Sequence, residues 1–234
     1  GNAKVSWPVG ILGDHTRIRT GKLDANAKSE NGTYPFFTCA QEPLRIDTYS
    51  YDCECVLVAG NGDLNVKHYE GKFDAYQRTY IIEAAPDAKE IIHLRYLYHF
   101  LETYLERLRE LSIGGVIKYI KLGNLTEIEL PLPPFADQKR IAAILDAADE
   151  LLTKRRESIA QLNMLIQSSF LEIFGDPILN PNGWEVARLG QLATKIGSGA
   201  TPRGGNSSYK ADGVALIRSL NVRDGEFLWK DLAR

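Results

Sequence analysis

The sequence predicts an α+β protein: a mixed-sheet domain, then one long coiled-coil-type spacer helix, then the start of a second domain like the first. Three observations carry this expectation. Short runs of β-branched and aromatic residues, bounded by Gly, Asn and Asp, occupy much of the first half of the chain. Between Ile141 and Ile173, apolar residues recur in alternating steps of four and three, the period of a helix that pairs with another helix. Residues 6–21 are echoed by residues 183–199: Trp7, Val9, Leu12 and Gly13 recur as Trp184, Val186, Leu189 and Gly190, always 177 residues on. After one inserted residue, Ile18 and Gly21 also match Ile196 and Gly199. The expected boundaries are a first domain over residues 1–134, the helix over 135–177 and an incomplete second domain over 178–234.

In chain order, Tyr34–Ala40 (YPFFTCA), Cys55–Gly60 (CVLVAG) and Arg78–Ala84 (RTYIIEA) are the expected strands. Asn31-Gly32, Gly60-Asn61-Gly62-Asp63 and Glu70-Gly71-Lys72 have turn composition. From Lys89 to Leu111 the spacing of Ile92, Tyr96, His99/Phe100, Leu108 and Leu111 predicts a helix ended by Gly114-Gly115. VIKYIKLG and LTEIELPLP, which follow, read as extended.

The spacer helix has both ends marked. Pro134 stands where a first turn tolerates proline, Asp137 follows near the positive N-terminal end, and Gly175 then Pro177 provide a left-handed stop and a breaker. Its seam is Ile141, Leu145, Ala148, Leu152, Ile159, Leu162, Ile166 and Ile173, with Arg155 and Ser169 in the two remaining seam positions. At 1.5 Å per residue a helix from Asp137 to Phe174 is roughly 55 to 60 Å long. A domain of ordinary size has a radius of gyration near 14 Å, so such a helix outruns it and needs a partner helix for its seam.

No apolar run approaches about 18 residues, and GNAKVSWPVG has no signal-like apolar core, so a cytoplasmic protein with no membrane partner is expected. A net charge of −2 argues against nucleic-acid binding by bulk electrostatics but leaves room for local patches. Only residues 178–234 are net basic, with 8 Lys and Arg against 5 Asp and Glu. Cys39, Cys53 and Cys55 are an odd number of thiols in an expected reducing compartment. Neither they nor His15, His68, His93 and His99 have metal-ligand spacing, and no carboxylate pair suggests acid–base work. No catalytic, cofactor or metal site is expected.

Gly60-Asn61-Gly62-Asp63-Leu64-Asn65 has the composition of a phosphate-cradling loop but neither of the usual glycine spacings nor a following helix, which favours a hairpin turn. Lys67, Lys72, Tyr76, Gln77 and Arg78 gather basic, aromatic and amide side chains around the next turn, the mixture that holds phosphates and reads base edges. A solvated hairpin accounts for the same residues.

The junctions carry more. Leu132-Pro133-Pro134, Gln138, Arg140-Ile141-Ala142 and Ile144-Leu145, then Phe174-Gly175-Asp176-Pro177 and Gly183-Trp184, make the chain resemble the specificity subunit of type I restriction-modification enzymes. Phe135 and Asp137 stand where that family more usually has Leu and Glu. Leu23–Asn26, YPFFTC, VLVAGNGD and YQRTY look like one class of its target recognition domains. The resemblance implies a non-catalytic subunit, truncated after its first recognition domain and conserved helix. Such domains read half of a split site in double-stranded DNA. Conserved helices hold two of them apart and dock methyltransferase subunits, and through these the restriction subunit; S-adenosylmethionine and ATP belong to the partners.

No family motif fixes the DNA contacts. The candidates are polar loop residues: Thr20, Gly21 and Lys22; Asn61 and Asn65; Lys67, Lys72, Gln77 and Arg78; and, in the partial domain, Ser198, Thr201, Arg203, Arg218 and Asn221. Arg suits guanine and Asn or Gln suits adenine through paired hydrogen bonds. With the second helix absent, the seam predicts an antiparallel homodimer. The competing reading is an adaptor that dimerises through the helix and touches no nucleic acid; a third is a small enzyme working through the Gly60–Asp63 loop.

Overall fold

The structure, a computed structural model, describes residues 7–199, 203–223, 226–230, 232 and 234. Contacts divide the chain into two compact units, Gly1–Leu165 and Ile166–Arg234.

In the first unit, β1 (Val9–Ile11) leads through a helical turn, α1 (Leu12–His15), into β2 (Thr16–Thr20). β3 (Tyr34–Phe37), β4 (Leu44–Ile46), β5 (Tyr51–Ala59), β6 (Val66–Ala75) and β7 (Thr79–Ala84) complete a six-stranded sheet of order β2-β7-β5-β6-β3-β4. It is mixed: β3 runs parallel to β6 and the other neighbours are antiparallel.

β5 reads as a near-continuous apolar run because both of its faces are covered, with successive side chains pointing opposite ways. Val56 and Val58 pack with Ile82 under the helix α2 (Leu94–Leu111), against Leu97, Leu101 and Leu108. Cys55 and Leu57 face the other way, toward Phe37, Phe73 and Ile81. Only residues 76–78 connect β6, whose C-terminal end lies across the start of β5, to β7, whose first residue lies across Ala59. So short a link cannot run the length of β5, so the sheet curls back on itself, and a bridge between Leu23 and Tyr76 joins its two sides.

Three expectations are corrected. Glu70-Gly71-Lys72 lies inside β6, in unbroken register with β5 opposite Glu54, Cys53 and Asp52. The helix expected from Lys89 starts at Leu94, because residues 85–92 first form turns on the Ala85 and Ala88 carbonyls. VIKYIKLG forms no strand: its first three residues lie in a hairpin loop, Tyr119 makes isolated bridges, and its last glycine opens a helical turn, α3 (Gly123–Thr126), before the three-residue β8 (Glu129–Pro131) that pairs with β1. Alternation of apolar and polar residues in both runs mimicked strands.

The long helix α4 (Phe135–Phe174) starts at the first residue of the expected 135–177 segment, two residues before the Asp137 used for its length, and ends at Phe174, ahead of the Gly175 stop. Its first turn uses the Pro134 carbonyl, which accepts from Asp137 N and Gln138 N. Gln138 is fully buried. Its Nε2 donates to the Ile91 and Pro133 carbonyls at 2.8 Å each, and its Oε1 accepts the His93 N–H at 2.9 Å. A side chain of α4 thus satisfies backbone groups at the start of α2, which has no capping side chain of its own.

A second link lies further along. Asp146 Oδ1 accepts from Arg95 Nε at 2.7 Å and lies 2.7 Å from His99 Nε2. Burial alone would push the Asp146 carboxyl up, but hydrogen bonds from His99 and Arg95, with their charges, hold it below the usual carboxylate range. Its folded value is then below its unfolded one, so the unfolded chain takes up a proton first as pH falls. The stabilisation is complete above the unfolded value of about 3.9 and is lost as pH falls through the folded value. Asp146→Asn is expected to lower the melting temperature at neutral pH, with the gap from wild type closing below about pH 4. Melting curves across that range check it; a pH-independent gap would remove the carboxylate charge from the α2–α4 contact.

In the second unit, the stop after α4 is built from the residues that the sequence marked. Gly175 has φ 78°, and its N–H returns to the Leu171 carbonyl at 2.8 Å. Asp176 Oδ1 accepts from Ile178 N and Leu179 N. Asn180 and Trp184 exchange two hydrogen bonds, and the Trp184 indole N–H donates to the Phe174 carbonyl at 2.8 Å, covering an acceptor that the helix end leaves open. A helical turn α5 (Leu189–Leu192) and an antiparallel pair of β9 (Val222–Arg223) with β10 (Glu226–Phe227) follow.

Candidate nucleic-acid interface

After β2 the chain crosses the β6–β7 connection at close range. Gly21 N donates to the Thr79 carbonyl, Leu23 N to Ala75 and Gln77 N to Leu23. A Cβ on Gly21 would stand 2.2 Å from the Ala75 oxygen, so only glycine permits this crossing. It brings Thr20-Gly21-Lys22 beside Gln77-Arg78, and these five line an open cleft of ≈ 490 Å³ together with Gly60, Tyr80 and Ile120. Arg78 is shared with an adjoining cleft of ≈ 360 Å³ lined also by Asn61, Ile117 and Tyr119. The base is held by Gly60 N donating to the Arg78 carbonyl, Ile120 N to Gly60 and the Tyr80 hydroxyl to Ile120. Burial pushes the Tyr80 phenol up, with Arg78 opposing, so it remains a neutral donor.

The lining of both clefts includes Lys22 and Arg78 and not one carboxylate, although acidic residues outnumber basic ones in the whole chain, 30 to 28. Two cations flanked by the Gln77 and Asn61 amides suit an anionic polymer that also presents hydrogen-bonding edges.

Other candidates lie elsewhere. Asn65 is buried, and its Nδ2 is committed to the Cys39 and Asp63 carbonyls, so it holds a loop together. Lys67 Nζ donates to the Ala40 carbonyl at 2.8 Å and bonds to Asn65 Oδ1. Lys72 stands mid-strand opposite Asp52, with its ammonium 4.7 Å from the centre of the Tyr49 ring. None of these three lines either cleft. In the second unit Ser198 and Arg203 are exposed, Arg218 lies near the Tyr209 ring, and Asn221 is buried with its amide bonded to Arg218 N and the Leu228 carbonyl. Thr201 lies outside the described residues.

Groups for other chemistry are spoken for. Burial pushes the Cys53 and Cys55 thiols up, away from thiolate reactivity. The Gly60–Asp63 segment is a β5–β6 hairpin loop, as the sequence favoured, and β6 follows it where a phosphate loop needs a helix. Among the described residues His99, Glu102 and Asp149 form one trio with metal-ligand proximity, but His99 Nε2 is taken by Asp146 and both partners are exposed.

Residues 4–163 match the family model for the type I restriction modification DNA specificity domain. The chain belongs to this family. It is 41% identical over 165 residues to the EcoDI specificity subunit of Escherichia coli, covering 69% of this chain and 36% of that protein. Against the MjaVIII specificity subunit of Methanocaldococcus jannaschii it is 25% identical over 252 residues, covering 97% of this chain and 58% of the relative. The chain thus spans about a third to somewhat over half of these relatives. Among solved structures, the type I S subunit from M. genitalium gives a TM-score of 0.57 at 20% identity, covering 73% of this chain and 46% of that one. The HsdS subunit from Thermoanaerobacter tengcongensis gives 0.53 at 16%, covering 75% and 46%. At those identities the likeness is one of fold: a mixed-sheet α+β domain with a long helix.

Within this specificity domain the sequence reading missed the wall of the second cleft. Ile113 and Tyr119 exchange both backbone hydrogen bonds, closing a hairpin whose loop runs over Gly114, Gly115, Val116, Ile117 and Lys118. Gly114, at φ 119°, opens that loop and does not end α2, which stops at Leu111 with the Ser112 hydroxyl on the Arg109 carbonyl. The Gly-Gly pair before a Val-Ile-Lys tip was the available signal. The α4 seam, in turn, leaves the domain soon after it starts. Ile141 is half-buried, whereas Leu152, Ile159, Leu162, Ile166 and Ile173 are exposed, together with Leu151, Leu165 and Phe170. The apolar face is wider than the predicted stripe.

Proposed function

We propose that this chain is the sequence-reading part of a type I restriction-modification assembly, contacting half of a bipartite site in double-stranded DNA through the Thr20–Lys22, Asn61 and Gln77–Arg78 surface. The observation that carries the reading is the convergence of Lys22, Arg78, Gln77 and Asn61 from three separate segments on carboxylate-free clefts. Lys22 serves the backbone, while Arg78, Gln77 and Asn61 are the side-chain types that read guanine and adenine edges. Residues 1–134 act as the recognition domain, 135–177 as the spacer helix and 178–234 as the beginning of a second domain, where Ser198 and Arg203 are the accessible candidates. The exposed face of α4 supports an antiparallel homodimer of this chain and docking of methyltransferase subunits, through which the restriction subunit joins. The chain itself supplies no chemistry and no cofactor, and it works in the cytoplasm; no helix among the described residues is long and apolar enough to cross a membrane.

The test against a pure adaptor is retention on duplex DNA across a salt series in the presence of the cognate methyltransferase subunit. For a DNA-reading chain the logarithm of the affinity should fall linearly with log salt, and Lys22→Ala should flatten the slope by about one unit if Lys22 holds a phosphate. Retention that depends on the methyltransferase subunit alone, unchanged by Lys22→Ala and Arg78→Ala together, would favour the adaptor.

A further inference from the structure

The hairpin tip beside the clefts presents Val116 and Ile117 to solvent, at 104% and 62% exposure, directly after two glycines. Side chains this exposed add little to the packed core of the domain. The base of the hairpin, by contrast, is tied down: Gly62 N donates to the Lys118 carbonyl at 3.0 Å, and Tyr119 bridges both Ile113 and Asn61. A firmly based finger with an apolar end thus stands over the cleft that Ile117 shares with Arg78 and Asn61, with Lys118 next in sequence.

Resting on the DNA-reading role proposed above, we infer that this finger is a base-contacting element whose Val116–Ile117 tip reads the 5-methyl group of thymine in the major groove. The thymine methyl is the one apolar feature among the base edges of that groove, and short apolar side chains are its usual partners. The occupant follows from continuity and charge. The tip shares a cleft with Arg78, and that cleft has no carboxylate to repel a phosphate backbone. Arg78 or Asn61 then addresses the neighbouring base pair by hydrogen bonds, so the finger adds discrimination at a position next to theirs.

The experiment uses the assembled methyltransferase complex and duplexes carrying the half-site defined by methylome sequencing, with uracil replacing each thymine in turn so that only the methyl group is lost. Wild type should bind about fourfold more weakly at one uracil position, the ~0.8 kcal/mol of one buried methyl group. Val116→Ser with Ile117→Ser should weaken the thymine duplex by a similar factor and be indifferent to uracil at that position. No uracil-sensitive position, or undiminished sensitivity in the double variant, overturns the inference. So does uniform weakening on all sequences, which would make the tip a non-reading wedge, and so does loss of the methyltransferase subunit from the complex, which would make it a protein contact. Arg78→Ala is run alongside: if it alters recognition while the tip does not, only the finger fails, and if neither does, the DNA-reading site fails with it.

Discussion

Replacing Gln138 with Leu is expected to destabilise the first unit by about 3 to 5 kcal/mol: it strands the His93 N–H and the Ile91 and Pro133 carbonyls, at roughly 1 to 3 kcal/mol for a fully buried group, and the His93 and Ile91 bonds are only partly buried, which keeps the total near the lower end of that sum. Leucine fills the same space, so water cannot enter to take over the bonds. Gln138→Ala leaves room for a water molecule and should cost less. For a unit of this size the Leu variant corresponds to a fall in melting temperature on the order of 10 °C, whereas Arg140→Ala, exposed two positions on, should stay within about 0.5 kcal/mol of wild type. Thermal melts of the three variants check this order. Equal stability of Gln138→Leu and wild type would mean that the α4–α2 junction is held by packing alone.

The second large effect is expected on the exposed seam. Leu145, Leu152, Ile159, Leu162 and Ile166 are five exposed large apolar side chains, each worth roughly 1.5 to 3 kcal/mol when fully buried. Their sum exceeds the lower estimates of association cost, about 4 kcal/mol upward. A soluble monomer rarely leaves such a stripe in water, and a two-fold pairing places every seam position in the interface twice. Leu152→Glu with Leu162→Glu should therefore raise the dimer dissociation constant by about a thousandfold or more. In sedimentation equilibrium at tens of micromolar the wild type should run near twice the chain mass and the double variant near 26.1 kDa. A wild type at 26.1 kDa, unchanged by the substitutions, would remove the homodimer.

What was legible in the sequence follows the range of the interactions concerned. The helix from Phe135 to Phe174 was legible because its signals are local: a proline before the first turn, a seven-residue period and Gly175 at a left-handed position. The strands at Tyr34–Phe37 and Thr79–Ala84, and the second half of Tyr51–Ala59 from Cys55 on, were legible for the same reason, apolar runs between turn residues. The cleft was half legible. Thr20-Gly21-Lys22 and Gln77-Arg78 were each marked as polar loops, but nothing local says that they meet; that depends on the curl of the sheet and on Gly21 allowing two backbones to cross. The loop bonds of Asn65 and Lys67 were not legible because their partners, the Cys39 and Ala40 carbonyls, are more than twenty residues away. The hairpin at Ile113–Tyr119 was hidden by its composition, since alternating Val, Ile and Lys reads as a half-buried strand whether or not a sheet receives it.

Whether the Arg78 surface reads one half of a DNA site is decided by methylome sequencing of cells carrying this chain with its cognate subunits, as wild type, Arg78→Ala and Gln77→Ala. Both residues are exposed in a turn, so the folds should be unaffected. At least one variant should relax or lose a single base position in one half-site, equivalent to about 1 to 3 kcal/mol of discrimination, with the other half-site and the gap unchanged. An unaltered methylation motif at an unaltered rate in both variants would contradict it.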